Sequence, residues 1–199
     1  MGLAEFFEAV DRLKRVKRSG WLERGVKGAE SSADHSFAVA LQALVLGHGR
    51  TDLDMQNVLR MALVHDLAEC VVGDIISKES WPEGGSMVAK EKHALEKRAL
   101  KGVLSSLAPD LKKELMAAWE EFEEGKTKDA AFVKSIDKLE TIVHALQYAK
   151  AGNFRKPMAG FWDKTAMRSI KDAEVRRVLS RILKQAGAQR ALRPQHKTT

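Results

Sequence analysis

The sequence predicts an all-α fold, and three observations carry that prediction. The 199 residues hold only 4 Pro and 1 Tyr, while Ala, Leu, Lys and Glu are abundant, a balance that favours helix over sheet. Apolar residues recur at helical spacing through most of the chain. No pair of strand-like runs joined by hairpin chemistry interrupts them, and there is no phosphate-binding Gly motif or internal repeat. At 44% hydrophobic and 31% charged, a chain of this length builds one domain with a real core. The expected architecture is a single-domain bundle of about six core helices over residues 1–165. A basic C-terminal helix, 166–189, packs on it, and 190–199 form a disordered basic tail.

The first helix runs from Leu3 to Val16, with Phe6, Phe7, Val10 and Leu13 on one face. A basic cluster (Arg12, Lys14, Arg15, Lys17, Arg18) follows; Ser19-Gly20 then breaks the helix before Trp21. A Trp behind arginines suits stacking on a base or sugar while Arg holds phosphate, and equally suits plugging a helix end. Ser31 and Ser32 cap a second helix from Ala33 to about Gly47. It carries His35 in its first turn, and its apolar run (Phe37, Val39, Leu41, Leu44, Val45) predicts a central position. The third helix extends from about Asp54 to Val72.

Gly73 to Ser86 reads as an irregular segment, long enough to be a functional loop over a pocket. Met87–Leu107 is the fourth helix. Pro109 opens the fifth, to about Glu124, with Leu111, Leu115, Met116, Trp119 and Phe122 inward and Glu120, Glu121, Glu123 and Glu124 as a solvated face. The sixth, Asp129–Ala151, places Asp137, Thr141, His144 and Tyr148 in a polar seam beside apolar residues. After a loop over Asn153–Trp162, in which Phe161 and Trp162 pack back, a last helix covers about Ser169 to Gln185.

The single cysteine, Cys70, excludes an internal disulfide framework and fits a reducing cytoplasm. The N-terminus (Glu5, Glu8, Asp11) is not a signal peptide. The best apolar run, Phe37–Leu46, is too short to cross a bilayer. The net charge of +7 lies in the C-terminal region, where residues 168–199 carry nine Lys/Arg against two Asp/Glu. That excess reads as a solvated helix and frayed tail. The absence of aromatics there makes a nucleic-acid partner an unlikely reading.

The chemistry concentrates in MALVHDLAECVVGD, residues 61–74. An apolar run leads into His65 and Asp66, with Glu69 and Asp74 behind them. Buried ionisable groups persist only if paired, hydrogen-bonded or bound to metal. His35, His65, Asp66 and Asp137 form the inward polar set on three apolar helices. Two imidazoles and two carboxylates suit a divalent ion such as Mn, Co, Mg, Zn or Fe, with open positions for water and substrate.

This H…HD…D arrangement resembles the HD-domain metal-dependent phosphohydrolase superfamily. The stretches LKRVKRSGW, ESSADHS, ALVHDLAECVVGDI, EKHALE and FVKSIDKLE look like its 5′-deoxynucleotidase branch, of the bacterial YfbR and eukaryotic HD-domain-containing protein 2 types. The resemblance covers about residues 9–152. It implies an HD-type helical bundle and a metal-dependent phosphomonoesterase acting on deoxynucleoside 5′-monophosphates. It implies His35, His65, Asp66 and Asp137 as metal ligands, and Glu69 and Asp74 as acids that position or deprotonate water. Arg18 would orient phosphate, Trp21 would press on the sugar, and Asp74, Ile75, Ile76 and Ser77 would line the nucleotide pocket, with Lys78 adding charge. In the bacterial type Arg and Trp are adjacent; here Ser19-Gly20 separates them, as in the eukaryotic-like branch. The resemblance also implies a homodimer, and the exposed side of helices four to six offers a surface for it. The competing readings are an HD phosphohydrolase for another phosphoryl substrate and a nucleotide-sensing binding protein. Intact Glu69 and Asp74 argue against a dead site.

Overall fold

The computed structural model describes residues 2–79, 85–156, 158–162 and 164–187. Among them the chain forms helices α1 (Leu3–Leu13), α2 (Ser19–Glu23), α3 (Ser32–Gly47), α4 (Met55–Val64), α5 (Glu69–Val72), α6 (Ala89–Val103), α7 (Pro109–Glu124), α8 (Lys128–Ala151), α9 (Lys164–Ser169) and α10 (Ala173–Gln185). Single 3-10 turns follow α6 at Leu104–Ser106 and precede α9 at Ala159–Trp162. No strand occurs among the described residues; only isolated bridges join Lys17 to Ser31 and Ser77 to Met87. The expected tail 190–199 lies outside the described residues.

Local chemistry explains where the core helices begin. Ser31 and Asp34 form a reciprocal capping box at α3. Asp54 accepts from the backbone of Gln56 and Asn57 at α4, and Thr127 caps α8 through Ala130. Each such cap stabilises its helix by about 1 kcal/mol. Pro109 opens α7 and left-handed Gly125 closes it, as expected for those residues.

α8 is the axis of the bundle, packed against α3, α4, α7 and α10. Its Phe132, Val133, Ile136 and Ile142 are buried with Val39 and Ala43 of α3, Val58 and Met61 of α4, and Val175 and Leu179 of α10. A second apolar cluster joins Ala9 and Leu13 of α1, the turn after α4, Leu100 of α6 and Trp119 of α7. The HD-bearing segment therefore lies where two cores meet.

Several expectations need correction. The helix expected over 54–72 is two helices: beyond Val64 the backbone tightens, with Leu67 N–H reaching Val64 O and Glu69 N–H reaching Asp66 O. These three-residue bonds re-aim His65 and Asp66 out of the α4 register. Ser19-Gly20 does not simply break a helix but starts α2. The expected last helix is α10, starting at Ala173 and ending at Gln185, with the short α9 before it. α1 turns Ala9 and Leu13 inward and leaves Phe7 and Val10 exposed. Leu111 of α7 is also exposed. α3 is only half central: Phe37, Leu41, Leu44 and Val45 are 49–68% exposed.

The segment after α5 is a strap. Gly73 ends α5 at φ +76, a conformation L side chains rarely adopt. Lys78 N–H then bonds Met87 O, and Ser86 N–H bonds Ile76 O. A Cβ on Gly85 would stand 2.5 Å from Ser77 O, so the strap closes only around a glycine. Pro82 and Gly84 of the expected loop lie outside the described residues.

Candidate metal centre and cleft

α3, the α4–α5 turn and α8 bring His35, His65, Asp66 and Asp137 together. His35 Nε2 lies 3.1 Å from Asp137 Oδ1 and 3.8 Å from Asp66 Oδ2. His65 Nε2 lies 3.3 Å from Asp66 Oδ2. Both histidines are buried, and neither Nε2 makes a hydrogen bond of normal geometry. Two buried, unsatisfied ring nitrogens facing two carboxylates are costly without a cation.

The opposite edges of both rings are committed. His65 Nδ1 lies 2.9 Å from Ala62 O, and His35 Nδ1 lies 2.6 Å from Glu140 Oε2. Each acceptor holds the proton on Nδ1 in the neutral ring and leaves the Nε2 lone pair for a metal. The donor set of two imidazoles and two carboxylates fits a divalent ion.

The electrostatics without an ion point the same way. Burial would raise the Asp66 carboxyl, but His65, Arg18 and His35 outweigh it and hold it far below the usual range. Asp137 is likewise depressed against burial, by the adjacent His35 ring and the charges of His35, His65 and Arg18. Burial and Arg18 lower His35, but Asp137 and Glu140 push it up to about 9.

Around this centre lies a cleft of about 550 Å³. Arg18 Nη1 donates to Asp66 Oδ2 at 3.0 Å. Burial opposes the Arg18 charge, yet Asp66, Asp74, Glu69 and Asp137 together make it harder to deprotonate. Glu69 is 2% exposed; burial, then Asp66 and Asp74, raise its carboxyl well above the ordinary value. Asp74 Oδ2 accepts the Ser19 backbone N–H, and Ser19 Oγ donates to Asp74 O, both at 2.6 Å. α2 is thereby tied to the strap. Trp21 of α2 is 1% exposed and donates its Nε1–H to Glu30 Oε1 at 2.7 Å. It forms a fixed wall of the cleft beside Phe161.

Comparisons with known proteins identify the family. The HD domain family pattern matches residues 10–179. The chain belongs to the HD-domain family. A Mus musculus protein named 5′-deoxynucleotidase HDDC2 is 40% identical over 83% of this chain and 79% of its own. The Homo sapiens protein of the same name is 39% identical over 82% of this chain and 76% of its own. Among solved structures, the PH0347 protein of Pyrococcus horikoshii OT3 is 34% identical and superposes with TM-score 0.69 over 93% of this chain and 98% of its own.

In this HD-domain protein the family match extends past residue 152, through α9 and into α10. That agrees with the burial of Ile170, Val175 and Leu179 in the main core. Of the expected pocket residues, Arg18, Trp21, Asp74, Ile75, Ile76 and Ser77 line the cleft. Lys78 does not. Its backbone is held by Met87 in the strap, and its side chain is exposed outside the cleft. Positive charge comes instead from Arg24, Lys92, Lys134 and Lys138 on the cleft walls. Lys92 pairs with the buried Glu96 at 2.9 Å, and Lys134 stands over the Phe122 ring.

The sequence reading missed two buried acids, Glu30 and Glu140. Glu140 is three residues after Asp137 and four before His144, on the seam already recognised; that spacing was the available signal. For Glu30 the signal was weaker, since it lies outside a helix. The glutamates of α7 are not all solvent-facing spectators: Glu121 accepts from Asn57, and Glu123 pairs with His93 and lines the cleft. No helix among the described residues is long and apolar enough to cross a membrane.

Proposed function

We propose that this HD-domain protein is a metal-dependent 5′-deoxynucleotidase, hydrolysing deoxynucleoside 5′-monophosphates to deoxynucleoside and phosphate. The observation that carries the reading is a single cleft that Arg18, His65, Asp66, Glu69 and Asp137 line together, with buried His35 reaching Asp137 at 3.1 Å from behind it. The named activity of relatives at about 40% identity supplies the substrate class.

His35, His65, Asp66 and Asp137 would hold the divalent ion, with Mn, Co, Mg, Zn and Fe all compatible with the donor set. When bound, such an ion supplies neutralisation of phosphoryl charge and acidification of a water toward a pKa of about 7. Arg18 keeps one N–H on Asp66 and turns others to the phosphoryl oxygens. Glu69 takes the proton of the attacking water. It then passes that proton to the departing 5′-oxygen as the P–O bond breaks. Asp74 acts through Ser19, keeping α2 and its Trp21 at the correct distance. Trp21 excludes a 2′-hydroxyl by presenting an immovable ring to the sugar. Lys134 and Lys138 favour, as a second reading, a substrate with more than one phosphate.

We also read the protein as a homodimer. The outer side of α3 supports this: every exposed side chain from Phe37 to Gly47 is apolar, and a helix apolar all round is normally buried. That face is more apolar than the surface of α6–α8, where the sequence reading put the interface. The cytoplasm remains the compartment that fits a single buried free cysteine.

The test is phosphate release from ribo- and deoxyribonucleoside mono-, di- and triphosphates, using metal-stripped protein resupplied with each ion. Release from deoxynucleoside monophosphates alone supports the reading. Equal release from ribose substrates removes Trp21 as the gate, and release only from polyphosphates favours the second reading.

A further inference from the structure

A chain of polar groups, its two carboxylates buried and its central histidine partly exposed, runs away from the metal centre. Glu140 Oε2 meets His35 Nδ1 at 2.6 Å. Glu140 Oε1 lies 3.5 Å from His144 Nδ1, and the same nitrogen lies 3.1 Å from Glu30 Oε2. Glu30 Oε1 accepts the Trp21 indole N–H at 2.7 Å. The Tyr148 hydroxyl accepts the Glu30 backbone N–H at 3.0 Å, fixing the loop that carries Glu30. The His144 ring also stacks against Trp21, centroids 6.0 Å apart. Glu30 and Glu140 are 8% and 3% exposed, so neither is a surface acid.

The three side chains lie close enough together to hold a cation, and their carboxylate oxygens also face partners within the protein. Glu30 spends one on Trp21 and one on His144; Glu140 spends one on His35 and one on His144. Linked polar groups of this kind act as a brace, and low local dielectric strengthens them. It ends at two functional groups: the histidine that would ligate the ion and the indole that would face the sugar.

We propose that Glu140, His144 and Glu30 are positioning residues that tie Trp21 to His35, so that metal affinity and the sugar wall respond together. Glu140 sets the tautomer and angle of the His35 ring. Glu30 sets the indole plane. His144 joins the two carboxylates, so displacement at one end reaches the other. The part concerning sugar choice rests on the deoxynucleotidase reading; the part concerning the metal does not.

The deciding experiment is calorimetric titration of metal-stripped full-length protein with Mn²⁺, for wild type, Glu140→Ala, Glu140→Gln, Glu30→Ala and the Glu30→Ala/Glu140→Ala double variant. Loss of an outer partner of a ligating histidine weakens metal binding about 10–100-fold, and this is expected of Glu140→Ala. Glu140→Gln, whose amide oxygen still accepts the Nδ1–H, should stay near wild type. Glu30→Ala, which touches no ligand, should weaken Mn²⁺ several-fold in the wild-type background and add nothing once Glu140 is Ala, the non-additivity of a shared network.

Unchanged Mn²⁺ affinity in Glu30→Ala, or fully additive losses, overturns the tie. A second bound ion that disappears in His144→Ala overturns it in favour of a second metal site. If Glu140→Ala does not fold, Glu140→Asp withdraws the carboxylate from His35 while keeping its charge, and should show the same weakening. In the activity arm, Glu30→Ala should lower the deoxy-to-ribo ratio of kcat/KM. Should no nucleotide be hydrolysed at all, the deoxynucleotidase reading fails while the Mn²⁺ titrations still decide the brace.

Discussion

Arg18 and Asp66 share one hydrogen bond, Nη1 to Oδ2 at 3.0 Å, with side chains only 17% and 16% exposed. One carboxylate thus faces both the cation site and the guanidinium that would meet phosphate. Arg18→Ala should lower kcat by about 10²–10³-fold, the usual loss when a fixed transition-state donor is removed. Mn²⁺ binding should be retained, because Asp66 loses only a competitor. Arg18→Lys should recover little, since an ammonium lacks the planar fork needed to serve both partners. Steady-state kinetics and calorimetry on the same preparations check this.

Removing the metal should make stability depend on pH in a defined direction. His35 is raised from 6.5 to about 9 in the folded, metal-free chain. Its contribution is therefore complete below pH 6.5 and is lost as pH rises through about 9. Glu140 is lowered from 4.5 to about 2 against burial by His144 and His35. Its contribution is present above pH 4.5 and lost as pH falls toward 2. Urea midpoints of metal-stripped protein should fall on the alkaline side, and saturating Mn²⁺ should abolish that fall. Because the ion displaces the His35 proton, Mn²⁺ affinity should rise by about tenfold per pH unit below that pKa. An alkaline limb that is the same with and without Mn²⁺ would contradict the assignment.

Glu69 and Asp74 should separate by phenotype. Ser19→Ala removes the donor to Asp74 O and should cost about 1 kcal/mol of stability. Asp74→Ala leaves the Ser19 N–H without its acceptor, should cost about 1–3 kcal/mol, and should raise KM as α2 loosens. Glu69→Gln should leave stability intact while lowering kcat by about 10²–10⁴-fold, as expected for loss of a general base. Denaturation curves and kinetics on the three variants distinguish a positioning acid from a proton carrier.

Lys78 and Lys138 offer a control within the cleft region. Lys78 is exposed in the strap and Lys138 lines the cleft on α8. Lys78→Ala should leave kcat/KM unchanged within about twofold, as for an isolated surface substitution. Lys138→Ala should raise KM and weaken its salt dependence.

Leu41→Arg or Leu44→Arg on the outer side of α3 should convert a dimer to monomers in analytical ultracentrifugation. A charge placed at the centre of an apolar contact has no partner when buried. Both positions are about half exposed in the single chain, so the variants should still fold.

The sequence by itself determined the helices and the chemistry available. Helical periodicity and the cap at Ser31 are local properties, read within one or two turns of chain. The HD pair inside an apolar run announced a buried ionic site, because such residues cannot lie in a core unpartnered. The family stretches added His35 and Asp137 from distant positions. What only the tertiary structure decided depends on distances between elements. The break after Val64 follows from packing where two cores meet, and it sets the aim of His65 and Asp66. Glu140 became the partner of His35 because α8 crosses α3 at that level; Glu30 met Trp21 because a loop folds over α2. Lys78 left the site because its strap is pinned to Met87, and α3 kept an exposed apolar side because no other element among the described residues covers it. Periodicity tells which residues share a face of one helix; only the packing of helices tells which faces meet.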